Sequence, residues 1–134
     1  MGFYFCIFEN KNNVGSLIIL VKAIKGSNIL ILGLAYKANV DDCRESPSFV
    51  LMEKLEAKGA IVEYNDSFVP VVPPTREHAR FTGKQSVEIE DAYELILVST
   101  DHKEYKTYDF SGYSCPLVDS RNCIQHKPVK YFRA

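Results

Sequence analysis

The residues best suited to binding chemistry lie in one short segment, residues 33–47. Lys37 and Arg44 stand there directly after an apolar run, and Arg121 follows a later apolar run. Arginine offers a phosphate two parallel hydrogen bonds and lysine offers it a compact positive charge, so these cations could converge on a diphosphate. The alternative is that Arg44 pairs with an acidic neighbour in a solvated loop, namely Asp41, Asp42 or Glu45.

Two other kinds of chemistry are less well supported. Cys43 adjoins Arg44, and a neighbouring cation stabilises a thiolate. No base partner can be identified, so a structural cysteine is favoured over a nucleophile. The histidines are far apart in the sequence and none pairs with a cysteine at zinc-ligand spacing, which argues against a metal site: His78, His102 and His126.

The glycine pattern bears on dinucleotide binding. A dinucleotide fingerprint needs three glycines in the order G-x-G-x-x-G, and here Gly33 is followed by non-glycine residues. The chain therefore lacks a self-sufficient NAD site. Asp66 ends a predicted strand, where an acidic residue would hold a ribose in a dinucleotide fold. Without the fingerprint, turn initiation is its favoured role.

Strands and a helix must position these residues. The apolar run within residues 28–32 is typical of a strand buried on both faces. Ser46 and Pro47 can cap and start a helix that extends to about residue 58, where Gly59 would end it. Residues 60–65 read as a second strand, so the order is that of a right-handed βαβ unit.

The remaining elements complete a sheet. Strands are predicted at residues 95–99 and 117–119, and a short helix is predicted around residues 86–93. Residues 14–24 fit either a helix or a strand, with helix preferred, and residues 125–134 read as a frayed tail. The fold class expected is α/β: a three-layer, Rossmann-like open sheet, mainly parallel, with helices on both faces.

Length and composition limit the class of protein. The chain has 134 residues, one domain's worth, and 16 basic against 17 acidic side chains, without the basic excess of a nucleic-acid binder. The four cysteines form no C-x-x-C pair, so free thiols in a reducing cytoplasm are expected. No apolar stretch reaches the roughly 18 residues that span a bilayer. The apolar first eight residues read as an irregular or partner-covered end rather than a secretory signal or membrane anchor.

Several motifs in order resemble a known family. GLAYK at 33–37, DD at 41–42 and RESP at 44–47 resemble the start of the C-terminal, UDP-binding domain of the UDP-glucose/GDP-mannose dehydrogenase family. The motifs PPTREHA at 73–79, STDH at 99–102 and DSRN at 119–122 are similar to the branch that oxidises UDP-N-acetylhexosamines. The likeness covers about residues 25–124, which we expect to be a UDP-sugar-binding domain.

The resemblance implies a function and a role for each matching residue. The family oxidises the sugar C6 alcohol to a carboxylate, a four-electron reaction that uses two NAD⁺ and a covalent thioester on a cysteine. By resemblance, Tyr36 and Lys37 lie against the UDP-sugar and Arg121 helps to hold its phosphates or sugar. Arg44 would reach toward NAD bound on a neighbouring domain. The product would serve as a precursor of surface polysaccharides.

The departures from the family qualify this expectation. None of the four cysteines stands in the family's catalytic context, and residues 1–24 resemble neither the NAD domain nor the central domain. Residues 1–24 are therefore expected to be an extension or a remnant of an interdomain segment, with residues 125–134 a C-terminal tail. The chain alone is predicted to be inactive, with missing catalytic domains or a second copy as its partners. The alternative is a non-catalytic interaction or regulatory module that retains the fold.

Overall fold

Two antiparallel strands, β1 (Phe3–Glu9) and β2 (Ser16–Val21), precede the main sheet. The computed structural model describes residues 3–9, 16–21 and 25–133, and only the backbone of the first two ranges. The sequence favoured a helix for residues 14–24, and this prediction is wrong because residues 16–21 form strand β2. The prediction of an irregular first segment is also wrong, because residues 3–9 form strand β1. A short run of leucine and isoleucine is compatible with both states, and strand pairing decides between them here.

Five further strands form a parallel sheet in the described part of the chain. They are β3 (Asn28–Leu32), β4 (Ile61–Asn65), β5 (Leu95–Val98), β6 (Leu117–Asp119) and β7 (Tyr131–Arg133), in the spatial order β4-β3-β5-β6-β7. Every neighbouring pair is parallel, which confirms the predicted Rossmann-like fold class. The carboxyl ends of all five strands therefore lie at one edge of the sheet.

The helix between β3 and β4 has the boundaries that its sequence predicts. Helix α1 spans Pro47–Ala57, and the Ser46 hydroxyl accepts a hydrogen bond from the Ser48 amide at its N-terminus. Gly59 adopts φ +92°, a conformation that favours glycine and ends the helix. Because α1 begins at the carboxyl end of β3, the loop at residues 33–46 is fixed at both of its ends.

Alternate residues of β3 face opposite sides of the sheet, and both sides are covered. On one side Ile29 and Ile31 pack in a cluster with the buried face of α1, which includes Phe49, Met52 and Leu55. On the other side Leu30 and Leu32 belong to a cluster that includes Tyr105 and Phe110. Tyr105 lies on a second helix, α2 (Lys103–Thr107), which the sequence patterns did not reveal. The expected three-layer arrangement is thus observed.

Two local predictions are wrong. The helix expected around residues 86–93 is absent: this segment forms neither helix nor strand, and its Val87 amide donates to the Tyr64 carbonyl of β4. Val87 and Ile89 are partly buried and Glu88 is exposed, so burial alternates along the segment without the one-sided stripe that a helix would show. The prediction of a frayed tail is wrong for residues 131–133, which pair with β6 as strand β7.

No helix in residues 25–133 is long and apolar enough to cross a membrane.

Candidate functional site

The candidate site lies where the winding of the sheet reverses. The chain passes from β3 to β4 on one side and then to β5 on the other, so the loops after β3 and β5 diverge at this point. In open α/β sheets, ligands bind outside the carboxyl ends of the strands at such a reversal. The loop after β3 spans residues 33–46 and carries Tyr36, Lys37 and Arg44.

The space directly between the two loops is filled by protein atoms. Gly33 has φ +94°, and a Cβ atom placed on it would lie 2.3 Å from the Thr100 Cβ atom. The Thr100 hydroxyl donates to the Ala35 carbonyl at 2.8 Å, and the Ser48 and Ser99 hydroxyls are 2.7 Å apart. These contacts pack the loops after β3 and β5 directly against each other.

A buried carboxylate holds the start of the loop. Asp66, directly after β4, is inaccessible to solvent, and its Oδ2 atom accepts hydrogen bonds from the Leu34 and Ala35 amides, each at 2.8 Å. The same oxygen lies 2.8 Å from Nε2 of His102, which is also fully buried. Burial by itself raises the pKa of Asp66, but the hydrogen bonds from His102 and the two amides outweigh it and leave the pKa lowered.

Asp66 also initiates a turn, as its sequence position suggested. Its Oδ1 atom accepts from the Phe68 amide at 2.8 Å, and its carbonyl accepts from the Val69 amide. Asp66 therefore has two structural roles: its Oδ1 atom supports the turn after β4, and its Oδ2 atom holds the loop after β3. The sequence predicted the turn alone, because the contact with the loop after β3 depends on β3 and β4 being neighbours in the sheet.

A second buried aspartate organises the loop that carries Arg121. Asp119 ends β6, and its carboxylate accepts from the backbone amides of Cys123 and Ile124, each at 2.9 Å. The Tyr131 hydroxyl of β7 donates to the same oxygen at 2.8 Å. The sequence analysis gave neither Asp119 nor His102 a positioning role, although Asp119 ends a buried strand and His102 lies in the loop after another.

Tyr36 and Lys37 lie at the tip of the loop after β3 and face solvent. Tyr36 is 59% exposed and Lys37 is also exposed. The Tyr36 amide donates to the Asp42 carbonyl at 2.7 Å, which closes the tip into a compact turn. Both side chains are therefore accessible on an ordered loop, as a ligand-binding pair must be.

Arg44 pairs with a neighbouring carboxylate, as the alternative interpretation held. Its Nε and Nη2 atoms donate to the two carboxylate oxygens of Asp42 at 3.1 and 3.0 Å. The guanidinium lowers the pKa of Asp42 to about 2. The Arg44 side chain is nonetheless 80% exposed. Because such an exposed pair contributes little stability, a ligand anion can compete for the guanidinium.

Arg121 opens onto a cleft of about 550 Å³. Its Nη2 atom is 3.4 Å from Oδ1 of Asp101, and half of its side chain is exposed. Lys106 and Lys127 line the same cleft, so three of its four charged lining residues are cations. Arg121 and Lys37 thus stand on loops that follow different strands, with the loop after β5 between them. The structure records no contact between Lys37 and Arg121 among the residues described.

A second cavity, of about 310 Å³, adjoins Arg44. Its lining comes from the loop after β3 and from residues 74–78, and it includes Arg44, Glu45, Arg76 and His78. The His78 ring stacks on Phe49 at 4.7 Å between centroids, and its Nδ1 atom is 3.0 Å from a Glu53 oxygen. Arg44 therefore borders a cavity separate from the Arg121 cleft.

The cysteine side chains that the structure describes are poorly suited to nucleophilic chemistry. Cys43, Cys115 and Cys123 are buried free thiols. Burial raises the pKa of all three, and that of Cys115 and Cys123 to about 12. Because the thiolate is the reactive form, these residues act as core side chains. The side chain of Cys6 lies outside the described residues.

Comparisons with known proteins give the family. Residues 30–126 match the UDP binding domain of the UDP-glucose/GDP-mannose dehydrogenase family. The chain is 31% identical over 112 residues to UDP-glucose 6-dehydrogenase YwqF of Bacillus subtilis, covering 75% of this chain and 24% of that protein. It is 28% identical over 108 residues to UDP-N-acetyl-D-mannosamine dehydrogenase of Pyrococcus horikoshii, covering 77% of this chain and 23% of that protein.

Solved structures agree with this relationship. The fold resembles UDP-N-acetyl-mannosamine dehydrogenase Cap5O from Staphylococcus aureus at 27% identity and a TM-score of 0.59, covering 81% of this chain and 26% of that one. Across these comparisons the chain spans about a quarter of the length of the relatives it matches. The chain belongs to the UDP-glucose/GDP-mannose dehydrogenase family and corresponds to its UDP binding domain.

Proposed function

We propose that this chain binds the uridine diphosphate part of a UDP-N-acetylhexosamine at the carboxyl edge of its sheet. The observation that carries the proposal is the placement of Tyr36, Lys37 and Arg121, all exposed on loops that follow buried strands of that edge. An exposed aromatic ring can stack on a nucleobase, and the two cations can neutralise a diphosphate. Membership of a family defined by UDP binding supports the same ligand.

The chemistry proposed is that of an NAD-dependent UDP-N-acetylhexosamine 6-dehydrogenase, which oxidises the C6 alcohol to a carboxylate. This chain would hold and orient the nucleotide end of the substrate. NAD would accept the electrons when it is bound elsewhere in the enzyme, and exposed Arg44, beside its own cavity, would face it. We propose that the chain acts in the cytoplasm, together with catalytic domains or a second copy, in making surface polysaccharide precursors.

Thermal unfolding with added ligands tests the nucleotide claim. UDP and UDP-N-acetylglucosamine at 100 times their Kd should each stabilise the folded chain by roughly 2.7 kcal/mol. NAD⁺ should produce a much smaller shift, because the space between β3 and β5 is filled. The absence of any shift with uridine nucleotides would leave the interaction module as the better account.

Charge-matched variants locate the site. Lys37→Ala and Arg121→Ala should each weaken UDP binding, because each removes a cation from a proposed phosphate contact. Lys54→Ala, on the exposed face of α1 in its last turn, removes the same charge far from the carboxyl edge and serves as the control. Equal losses in all three variants would indicate that overall charge, and no specific site, attracts the nucleotide.

The choice of sugar needs its own comparison. The relatives include UDP-glucose and UDP-N-acetyl-D-mannosamine dehydrogenases. Calorimetric titrations with UDP, UDP-glucose and UDP-N-acetylglucosamine should give the acetylated sugar the lowest Kd. Tighter binding of UDP-glucose would assign the chain to the other branch while leaving the UDP site intact. As the described thiols are buried, the purified chain should form no NADH with any of these sugars.

A further inference from the structure

We propose that Asp66 and His102 are positioning residues, which hold residues 34–39 in the conformation that presents Tyr36 and Lys37 to the nucleotide. This inference rests on the function proposed above and adds the means by which the loop is set. Neither residue is exposed to solvent, so neither touches the ligand. Their effect must pass through the loop.

The start of the loop is held by one carboxylate oxygen. Oδ2 of Asp66 accepts from the Leu34 and Ala35 amides and from His102, in each case at 2.8 Å. Three donors on one buried oxygen fix the direction in which the chain leaves β3. Tyr36 is the next residue along, so its backbone inherits that direction.

The loop is held a second time, at residue 39, by the other ring nitrogen of His102. The Asn39 amide lies 2.8 Å from Nδ1 of His102. A backbone amide can only donate, so Nδ1 must carry the free lone pair and the proton must sit on Nε2, where it points at Asp66. The hydrogen-bond partners thus assign a neutral ring in its Nε2-protonated tautomer.

Asn39 occupies a conformation that needs this support. Its φ is +60°, in the left-handed region, and its side-chain oxygen accepts from the Lys103 amide at 3.0 Å. The loop is therefore clamped at Leu34–Ala35 and again at Asn39, with Tyr36 and Lys37 between the clamps. Ordering a free residue costs about 1–2 kcal/mol, so a loop set in advance binds more tightly than one ordered by its ligand.

Substitutions of His102 separate its two hydrogen bonds. Phenylalanine keeps the ring volume and loses both bonds, whereas asparagine can keep an acceptor near the Asn39 amide. We expect His102→Phe to raise the Kd for UDP about tenfold or more, the equivalent of about 1.4 kcal/mol. His102→Asn should recover most of that loss. Phe110→Leu, which thins the buried core without removing a hydrogen bond of the loop after β3, is the control for lost stability alone.

The possible outcomes distinguish this inference from the proposed function. If the unchanged chain binds UDP and His102→Phe binds it equally well, the positioning role is overturned and the binding function stands. If the unchanged chain binds no UDP, the proposed function itself fails, and the positioning role with it. A loss of affinity as large in Phe110→Leu as in His102→Phe would show that general destabilisation is responsible.

A spectroscopic measurement covers the case in which His102→Phe does not fold. Nitrogen-15 NMR of the imidazole distinguishes the two neutral tautomers and the charged ring. The geometry requires a protonated Nε2 and an unprotonated Nδ1 for His102 in the folded chain at neutral pH. A proton on Nδ1 would place two donors face to face at Asn39 and would overturn the proposal.

Discussion

At the scale of the residue, two buried aspartates explain why the binding loops are ordered. Asp66 fixes the loop after β3, and Asp119 fixes the loop that carries Arg121. Exposed binding residues on short loops lose entropy when they bind, and internal hydrogen bonds to a buried carboxylate reduce that loss. In the proposed function the cations bind the nucleotide, and the two aspartates would hold the loops that carry them.

Asp66 should make stability depend on pH in acid. Its pKa is lowered in the folded chain, so its contribution is complete above the unfolded-state pKa of about 3.9 and is lost as pH falls through the folded value. The free energy of unfolding in urea should therefore fall below about pH 4. Asp66→Asn should be less stable at pH 7 by about 2–4 kcal/mol and show a flatter acid profile.

Asp91 supplies the comparison for that experiment. Hydrogen bonds from Ser114 lower its pKa as well, but it lies on the surface, where solvent screens its interactions. Asp91→Asn should therefore leave the acid profile nearly unchanged. An equal flattening in both variants would contradict a special role for the buried carboxylate.

Gly33 should tolerate no side chain. An added Cβ atom would meet Thr100 at 2.3 Å, and the residue has φ +94°. Gly33→Ala should therefore cost about 2–5 kcal/mol in the free energy of unfolding, from left-handed strain and overpacking together. Gly83, with φ +86° and open space around it, isolates the strain: Gly83→Ala should cost only about 1–2 kcal/mol. Equal costs measured by urea unfolding would refute the close approach.

At the scale of the element, α1 fixes the far end of the binding loop. Ser46 caps the helix, so Ser46→Ala should lower the free energy of unfolding by about 1 kcal/mol, whereas Ser46→Asp should retain a cap and most of the stability. Urea denaturation of the unchanged chain and of the two variants measures these differences in the free energy of unfolding. If alanine and aspartate were equally destabilising, steric fit at this buried position rather than capping would be responsible.

The elements also show which parts of the fold a sequence can predict. β3, α1 and β4 follow from local patterns, because an apolar run, a serine–proline cap and a glycine stop lie close together in the chain. The contact of Val87 with β4 and the pairing of strand β7 with β6 depend on partners distant in the sequence. Local patterns do not contain those partners.

The same distinction applies to the site. Lys37, Arg44 and Arg121 could be proposed from the sequence because their residue types and positions after strands are visible there, whereas Tyr36 is proposed through the family resemblance alone. The link between Asp66 and His102 joins residues that are far apart in the chain and became apparent only when β4, β3 and β5 were placed side by side.

At the scale of the whole molecule, the parallel sheet brings its binding loops to one edge. The loop after β3 contacts the loop after β5 through Asn39 and His102. The loop after β6 contacts the loop after β5 through Arg121 and Asp101. Arg44 belongs to the loop after β3 and lines a separate cavity. One edge can therefore present a UDP site and a separate surface for a cofactor carried elsewhere.

The most direct test of this account is an amide NMR titration of the chain with UDP. We predict saturable chemical-shift changes concentrated at residues 33–39 and 119–124, and their loss in the double variant Lys37→Ala, Arg121→Ala. Absence of saturable changes, or changes confined to the cavity beside Arg44 and His78, would contradict the claim that this edge binds the uridine diphosphate through Tyr36, Lys37 and Arg121.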